Sequence, residues 1–212
     1  MVYLATSLPR KVSDCLWEED SMAIAINPKQ NKNSHGVVNC GDIANSTCKR
    51  LIDEHKNVKN KLVVGRVQQD GKYVENKNIR DVNAWIIHED NEWVDEIIIN
   101  STYTALQYLD YDVVGLLERP QLLRYTAPSK GYHWHIDLGQ NESSNRKISI
   151  SINLNESYSG GALSFFSDKL YKLNMSKGQS VAFPSFLSHK VMPITKGERW
   201  SLVAWISGSA FR

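Results

Sequence analysis

The sequence has few cysteines, no long apolar segment and almost no excess of charge. Its three cysteines are irregularly spaced, which argues against a disulfide framework and fits a reducing cytoplasm. No run of about 18 apolar residues occurs, and the N-terminus lacks the apolar stretch of a signal peptide, so no membrane span is expected. The formal net charge of +2 does not indicate a protein that binds nucleic acid or a membrane surface. We therefore expect a cytoplasmic protein with neither partner.

Short strand patterns dominate the C-terminal half of the chain. About eight candidates, each bounded by Gly, Pro, Asn, Asp or Ser, occupy residues 121–126, 131–137, 147–154, 161–166, 170–174, 179–183, 188–194 and 199–207. Regularly spaced short strands predict a sandwich or a barrel. About eight of them match a jelly roll built from two Greek keys, the architecture that includes cupins.

The N-terminal half carries the helical patterns. Residues 42–55 and 93–109 place apolar side chains near the helical period, and residues 62–67 and 80–88 are typical of strands. The predicted fold is mostly β with flanking helices. Residues 1–112 form an N-terminal extension and helical support, and residues 113–212 form the cupin-like jelly-roll core, together one structural domain.

The most informative motif is the stretch Tyr132-His133-Trp134-His135-Ile136-Asp137. Side chains alternate faces along a strand, so His133, His135 and Asp137 are predicted to point one way and Tyr132, Trp134 and Ile136 the other way. His189 supplies a natural third ligand downstream. Two histidines and one carboxylate that leave open positions are typical of the facial triad of non-haem Fe(II) oxygenases. His133 is the alternative to His135.

Zinc is the rival metal for the same residues. A closed structural zinc site needs four protein ligands, and the pattern offers no fourth. A hydrolytic zinc site with two histidines and one carboxylate stays open, although the sequence has no His-Glu-x-x-His helix.

Arg199 follows His189 by ten residues and suits a dicarboxylate co-substrate such as 2-oxoglutarate, because its guanidinium fork binds carboxylates in two places. Ser201 is predicted on the same strand face, and the hydroxyl of Tyr125 is a further donor to that ligand. Asn153 is expected to point into the barrel and to contribute to the same co-substrate site. The alternatives are a surface ion pair for Arg199 with Glu198 and an ordinary strand serine at position 201.

Three segments, residues 125–137, 160–166 and 189–205, resemble the prolyl 4-hydroxylase-like branch of the Fe(II)/2-oxoglutarate-dependent dioxygenases. The resemblance implies a double-stranded β-helix in which His135, Asp137 and His189 hold iron. It implies that Arg199 binds 2-oxoglutarate with help from Tyr125. It also implies hydroxylation of a C–H bond with dioxygen, and ascorbate as an accessory reductant. Trp205 matches an aromatic residue that lies beside the site in oxygen-sensing prolyl hydroxylases.

The same resemblance bears on the substrate. Asn153 stands where the oxygen sensors carry a tyrosine, and Arg80 and Trp85 lie one residue closer together than a comparable Arg–Trp pair in substrate-side prolyl hydroxylases. We expect a peptidyl hydroxylase whose substrate cleft lies between the barrel mouth and residues 80–85, with Trp205 on its floor. The alternatives are an oxygenase acting on a free amino acid or other small molecule, and a non-catalytic cupin-like binding protein. Core packing is the alternative role for Trp85.

Overall fold

The computed structural model describes residues 36–56, 62–64, 66–69 and 72–210. The beginning of the predicted N-terminal extension, residues 1–35, lies outside the described residues. The strands are β1 Val38–Asp42, β2 Leu62–Val64, β3 Arg66–Gln69, β4 Lys72–Glu75, β5 Asn83–Ile86, β6 Gln121–Thr126, β7 Tyr132–His135, β8 Arg146–Asn153, β9 Tyr158–Gly160, β10 Leu163–Phe166, β11 Leu170–Leu173, β12 Gln179–Pro184, β13 Ser188–Val191 and β14 Ile194–Ser207. The helices are α1 Asn45–His55 and α2 Glu92–Leu106, with a short 3-10 helix at Asn141–Asn145.

Two antiparallel sheets form the body of the molecule. The larger sheet has the order β1-β12-β8-β14-β6-β5-β2, with β9 paired to β14, and the smaller has the order β11-β10-β13-β7. Strands β3 and β4 form a separate hairpin. Several neighbours in the larger sheet are distant in sequence, such as β1 with β12 and β8 with β14, as the Greek-key connections of a jelly roll require. The predicted mostly-β jelly-roll class is confirmed.

Alternation along β14 separates two apolar cores. Its even-numbered residues, Trp200, Leu202, Ala204 and Ile206, belong to a cluster with buried side chains of α1 and α2. Its odd-numbered residues face the smaller sheet, where a second cluster includes Tyr125, Phe165, Phe183 and Val191. The helices therefore cover the outside of the large sheet, and the space between the two sheets holds the polar side chains considered below.

The larger sheet includes strands from before residue 113. Strand β1 pairs with β12, and β5 pairs with β6. The division at residue 113 stays a prediction about domains, but hydrogen-bonded pairing continues across it. No helix among the described residues has the length and apolar character needed to cross a membrane.

Candidate active site

Three potential metal ligands converge between the two sheets. His135 ends β7 and pairs across the smaller sheet with His189 of β13, and Asp137 follows β7 by two residues. The ligand atoms of these side chains all lie within 4.8 Å of one another. Nε2 of His135 is 3.6 Å from Oδ1 of Asp137, and Nε2 of His189 is 3.5 Å from Oδ2. This is the donor set of two imidazoles and one carboxylate that Fe(II) accepts with positions left open.

Backbone carbonyls set the orientation of both imidazoles. Nδ1 of His135 donates to the carbonyl of His133 at 2.7 Å, and Nδ1 of His189 donates to the carbonyl of Leu187 at 2.9 Å. A carbonyl oxygen only accepts, so each Nδ1 carries the ring proton and each Nε2 keeps its lone pair for a metal. The ring of Tyr132 stacks on His135 with centroids 3.5 Å apart, and Phe183 contacts His189 edge-on at 4.7 Å.

The expected alternation along β7 is wrong at its start. The pairing register shifts between His189 and Val191 opposite β7, and such an irregularity changes which side chains share a face. Tyr132 therefore lies on the cavity side with His135. His133 is exposed and lies outside the cluster of metal-ligand candidates, so its contribution is the carbonyl that orients His135.

The electrostatics of the cluster favour the protonation state that binds metal. Burial, reinforced by the neighbouring imidazole of His189, lowers the pKa of His135 to about 3. Burial alone raises the pKa of Asp137, but the two imidazoles, the Ser149 hydroxyl and Arg146 outweigh it and lower that pKa to about 2. A neutral imidazole thus lies beside an ionised carboxylate across the physiological range.

The low pKa of His135 predicts how the stability of the metal-free protein depends on pH. Between the ordinary pKa of 6.5 and about 3, the unfolded chain protonates this imidazole and the folded chain does not. The unfolded state then binds more protons, so the free energy of unfolding should fall as pH falls, by up to about 1.4 kcal/mol per pH unit. Urea denaturation across this window measures the slope. His135→Gln should reduce it and His133→Gln should not; equal slopes in all three proteins would contradict the prediction.

Arg199 provides a buried positive charge deeper in the same cavity. It is 2% exposed, and its Nη1 donates to Oγ of Ser201 at 3.1 Å. Its Nε is buried without a hydrogen-bond partner, and in the described part of the chain no carboxylate forms an ion pair with it. A surface ion pair with Glu198 therefore does not describe Arg199. Because an unpaired buried guanidinium is costly, the arrangement fits a bound carboxylate.

Tyr125 lies opposite Arg199 in the sheet register, with its ring centroid 5.7 Å from the guanidinium carbon. Burial raises the pKa of Tyr125, so its phenol keeps its proton and can donate to an anionic ligand. Arg199, Ser201 and Tyr125 all line the cavity that contains the three metal-ligand candidates. The groups suited to a carboxylate and the groups suited to a metal therefore line one cavity.

Gly161 makes room for Arg199, a role that motif spacing alone did not indicate. A Cβ at Gly161 would lie 2.8 Å from Cδ of Arg199 and 3.2 Å from the ring of Tyr158. Its φ of +66° also favours glycine. In the sequence, the adjacent pair Gly160-Gly161 was the signal that could have indicated this role.

Asn153 does not take the predicted place in the ligand pocket. Its amide nitrogen donates to the carbonyls of Asn155 and Met175 at 2.8 and 3.1 Å, and its oxygen accepts from the Tyr158 hydroxyl at 3.0 Å. With these bonds made and the side chain fully buried, the amide holds the loops after β8 and β11. Asn153 lies opposite Ser201 on the face that points between the sheets, as expected, but its amide bonds to protein groups and it is not among the residues that line the cavity.

Trp85 lies on the wrong face of the sheet for the substrate role. Its ring stacks on Trp200 at 5.4 Å between centroids, within the core that faces the helices, and Arg124 lies over both rings. Alternation in β5 sends Ala84, rather than Trp85, toward the space between the sheets. Core packing is therefore its role.

Arg80 and Trp205 do line the cavity. Arg80 pairs by its backbone with Tyr132 and holds its guanidinium carbon 5.1 Å from that ring. Trp205 is 7% exposed and is covered by Arg146, whose guanidinium carbon is 4.0 Å from the indole centroid. These two side chains are in position to contact a substrate, whereas Trp85 is not.

A support network around Asp137 was not predicted. Oγ of Ser149 donates to Oδ2 of Asp137 at 2.7 Å and lies 3.0 Å from Oγ of Ser185. Arg146 donates to the backbone carbonyl of Asp137 at 3.2 Å and forms a two-point ion pair with Glu118. The small polar face of β8 was the visible signal, but its partners come from loops remote in sequence.

Known proteins share both the sequence pattern and the fold. Residues 120–207 match the model of the 2OG-Fe(II) oxygenase superfamily. A PKHD-type hydroxylase of Thermosynechococcus vestitus is 28% identical over 169 residues, covering 74% of each chain. A PKHD-type hydroxylase of Prochlorococcus marinus is 36% identical over 80 residues, 36% of each chain.

Solved structures of prolyl hydroxylases have the same fold. A Pseudomonas putida prolyl-4-hydroxylase superposes with a TM-score of 0.64 at 20% identity, covering 84% of this chain and 95% of the other. A Trichoplax adhaerens prolyl hydroxylase in complex with a peptide fragment of hypoxia inducible factor gives 0.66 at 17%, covering 82% and 84%. With the convergent ligand set, residues 120–207 therefore form a domain of the 2OG-Fe(II) oxygenase superfamily, and the chain is a dioxygenase similar to the PKHD-type hydroxylases.

Proposed function

We propose that this dioxygenase is a peptidyl hydroxylase of the prolyl 4-hydroxylase type. The observation that carries the proposal is an apolar rim next to the metal ligands. Ile136 is 49% and Phe186 is 48% exposed, and the segments after β7 and β12 that carry them are joined, because the Asp137 N–H donates to the Ser185 carbonyl at 2.8 Å. Exposed apolar side chains at the edge of a site are typical of surfaces that receive a polypeptide. The PKHD-type relatives and the peptide-bound structural neighbour support the same class.

Two groups of residues in the cavity are suited to different ligands. His135, Asp137 and His189 would hold Fe(II), and Arg199 would hold the distal carboxylate of 2-oxoglutarate with Ser201 and Tyr125. When bound, these groups supply the oxidation, in which decarboxylation to succinate accompanies hydroxylation of a C–H bond by dioxygen. The protein contributes placement and a cavity walled by Phe183, Leu163 and Val191, which limits access of water.

A free amino acid is the second candidate substrate, and Arg80 is the observation that favours it. Its guanidinium lies in the cavity beside Tyr132, where it has the charge and geometry to bind an α-carboxylate. An internal residue of a peptide has no free α-carboxylate, so the two substrate classes can be separated by their dependence on that group.

A substrate comparison tests the proposal. The enzyme supplied with Fe(II), 2-oxoglutarate and ascorbate should form succinate slowly without a substrate. Proline-containing peptides should then raise the rate and gain the mass of one oxygen atom, whereas free proline and other free amino acids should do neither. Stimulation by free amino acids alone would replace the peptide with a small molecule. Equal rates with and without ascorbate would remove ascorbate from the proposed components.

A cytoplasmic location is part of the proposal. Both described cysteines, Cys40 and Cys48, are free, as thiols are in a reducing compartment. Fractionation of the source cells, with the protein detected by antibody, tests the location, and recovery outside the cytoplasmic fraction would contradict it.

Arg80→Ala should separate substrate binding from co-substrate turnover. We expect uncoupled formation of succinate to remain within about two-fold of wild type, because Arg80 is not among the metal-ligand candidates. Peptide-stimulated turnover should fall roughly ten-fold or more, because a hydrogen bond from a guanidinium to a peptide carbonyl contributes about 1.5–3 kcal/mol. Succinate and hydroxylated peptide, measured in the same reactions, give both rates. Equal loss of both activities would place Arg80 in the support of the fold or of the metal site.

Trp85→Phe is the matched comparison, since Trp85 lies in the helix-facing core. It should lower the melting temperature and leave the ratio of coupled to uncoupled turnover unchanged. A selective loss of coupled turnover would return Trp85 to the substrate cleft.

A further inference from the structure

The carboxylate of Asp137 lies almost equally close to both imidazoles. Its Oδ1 is 3.6 Å from Nε2 of His135 and its Oδ2 is 3.5 Å from Nε2 of His189. These distances alone do not distinguish the two oxygens as metal ligands. A carboxylate that used both oxygens would occupy an additional coordination position, and a dioxygenase needs its remaining positions for the co-substrate and dioxygen.

A hydrogen bond makes the two oxygens different. Oγ of Ser149 donates to Oδ2 at 2.7 Å, and in the described part of the chain no side-chain or backbone N–H or O–H donates to Oδ1. Ser149 is 2% exposed and Ser185 is fully buried, so water does not substitute readily for this bond. The bond reduces the electron density that Oδ2 can offer to a metal and leaves Oδ1 as the better donor.

The position of Ser149 is itself held on both sides. Oγ of Ser185 lies 3.0 Å from Oγ of Ser149, and the Ser185 carbonyl accepts from the backbone N–H groups of Asp137 and Leu138 at 2.8 and 3.0 Å. Ser185 thus holds the backbone of Asp137 directly and holds the Asp137 carboxylate through Ser149.

We infer that Ser149, supported by Ser185, is a positioning residue that directs Oδ1 of Asp137 to the metal and keeps the carboxylate a one-atom ligand. The inference rests on the metal site of the proposed function and is independent of the peptide substrate. Ser149 acts through Asp137 and takes no part in the reaction itself.

Cobalt(II) binding to the metal-free enzyme is the test, because it needs no turnover. We expect Ser149→Ala to raise the Kd for Co(II) about 10- to 100-fold, the range for losing a partner of a metal ligand. It should also change the visible absorption bands of the bound Co(II) and weaken binding of 2-oxoglutarate to the Co(II) form. Ser185→Ala should have smaller effects in the same direction.

Ser180→Ala is the matched control. Ser180 lies on β12 and shares a buried hydrogen bond of 2.9 Å with Ser101, on the face of the sheet that packs against α2. Ser180→Ala should lower the free energy of unfolding about as much as Ser149→Ala does. It should leave the Kd and the absorption bands of Co(II) unchanged. Ser149→Thr and Ser149→Val add the same volume and differ by the hydroxyl, so the threonine variant should bind Co(II) more tightly.

Three outcomes would overturn the inference. The first is a Ser149→Ala variant with the Co(II) Kd and absorption bands of wild type and only the stability loss of Ser180→Ala. The second is equal Co(II) affinity in the threonine and valine variants. The third is a wild-type protein that does not bind Co(II). That result would also overturn the proposed metal site, which distinguishes it from the first two.

Discussion

His135→Ala should abolish metal binding, the largest effect expected of any single substitution in this protein. The imidazole is one of three ligand candidates within 4.8 Å of one another, and its Nε2 is directed inward by the bond from Nδ1 to the His133 carbonyl. Removing a group that hydrogen-bonds to a metal ligand lowers metal affinity about 10- to 100-fold. Removing the ligand itself should therefore lower metal affinity by more than about 100-fold. Calorimetric titration of the metal-free protein with Fe(II) under anaerobic conditions measures it.

His133→Ala is the control, because it removes the neighbouring imidazole and keeps the carbonyl that orients His135. His133 is exposed, and its N–H donates to the Ile79 carbonyl at 2.8 Å, a contact that alanine preserves. Metal affinity should stay within about two-fold of wild type. If His133→Ala lost the metal and His135→Ala kept it, the ligand assignment would be wrong.

Arg199→Lys should raise the KM for 2-oxoglutarate roughly 10- to 100-fold while Fe(II) affinity stays unchanged. Lysine keeps the positive charge but loses the planar fork that bonds a carboxylate at two points. A hydrogen bond between charged groups contributes about 1.5–3 kcal/mol, and a difference of that size corresponds to this range of KM. Succinate formation at varied 2-oxoglutarate concentration gives the KM, and calorimetry gives the metal affinity separately.

Arg124→Lys is the matched control on the adjacent strand. Arg124 lies opposite Trp200 in the register of β6 and β14, so it faces away from the cavity and stacks over Trp85 and Trp200. This substitution should lower stability without changing the KM for 2-oxoglutarate. An unchanged KM in Arg199→Lys, with a changed KM in Arg124→Lys, would exclude Arg199 from the co-substrate site.

Local patterns predicted the ligand residues well, because those residues belong to short strands. His135 and Asp137 are two residues apart, and strand alternation is a local property of the backbone. Tyr132 was assigned to the wrong face because the register shift opposite β7 depends on how β13 pairs with it. The period of two therefore predicted the ligand pair and failed at the first residue of the same strand.

The roles of buried polar residues were harder to predict than their direction. Asn153 was correctly placed inside the barrel, but its amide is used by loop carbonyls and Tyr158 rather than by a ligand. Ser149 reads in sequence as an ordinary strand serine, and its contact with Asp137 forms only when β8 lies beside the segment after β7. Hydrogen-bond partners remote in sequence are set by packing, which a linear pattern does not contain.

The sequence by itself indicated the architecture, the family resemblance and a ligand set in which His133 stayed the alternative to His135, because alternation, turn residues and motif spacing are encoded locally. Tertiary structure alone decided which face each neighbouring residue presents to the cavity. It placed Trp85 against the helices and Arg80 in the cavity, although both come from one short segment. The physical reason is that burial and pairing depend on the second layer that packs on a strand.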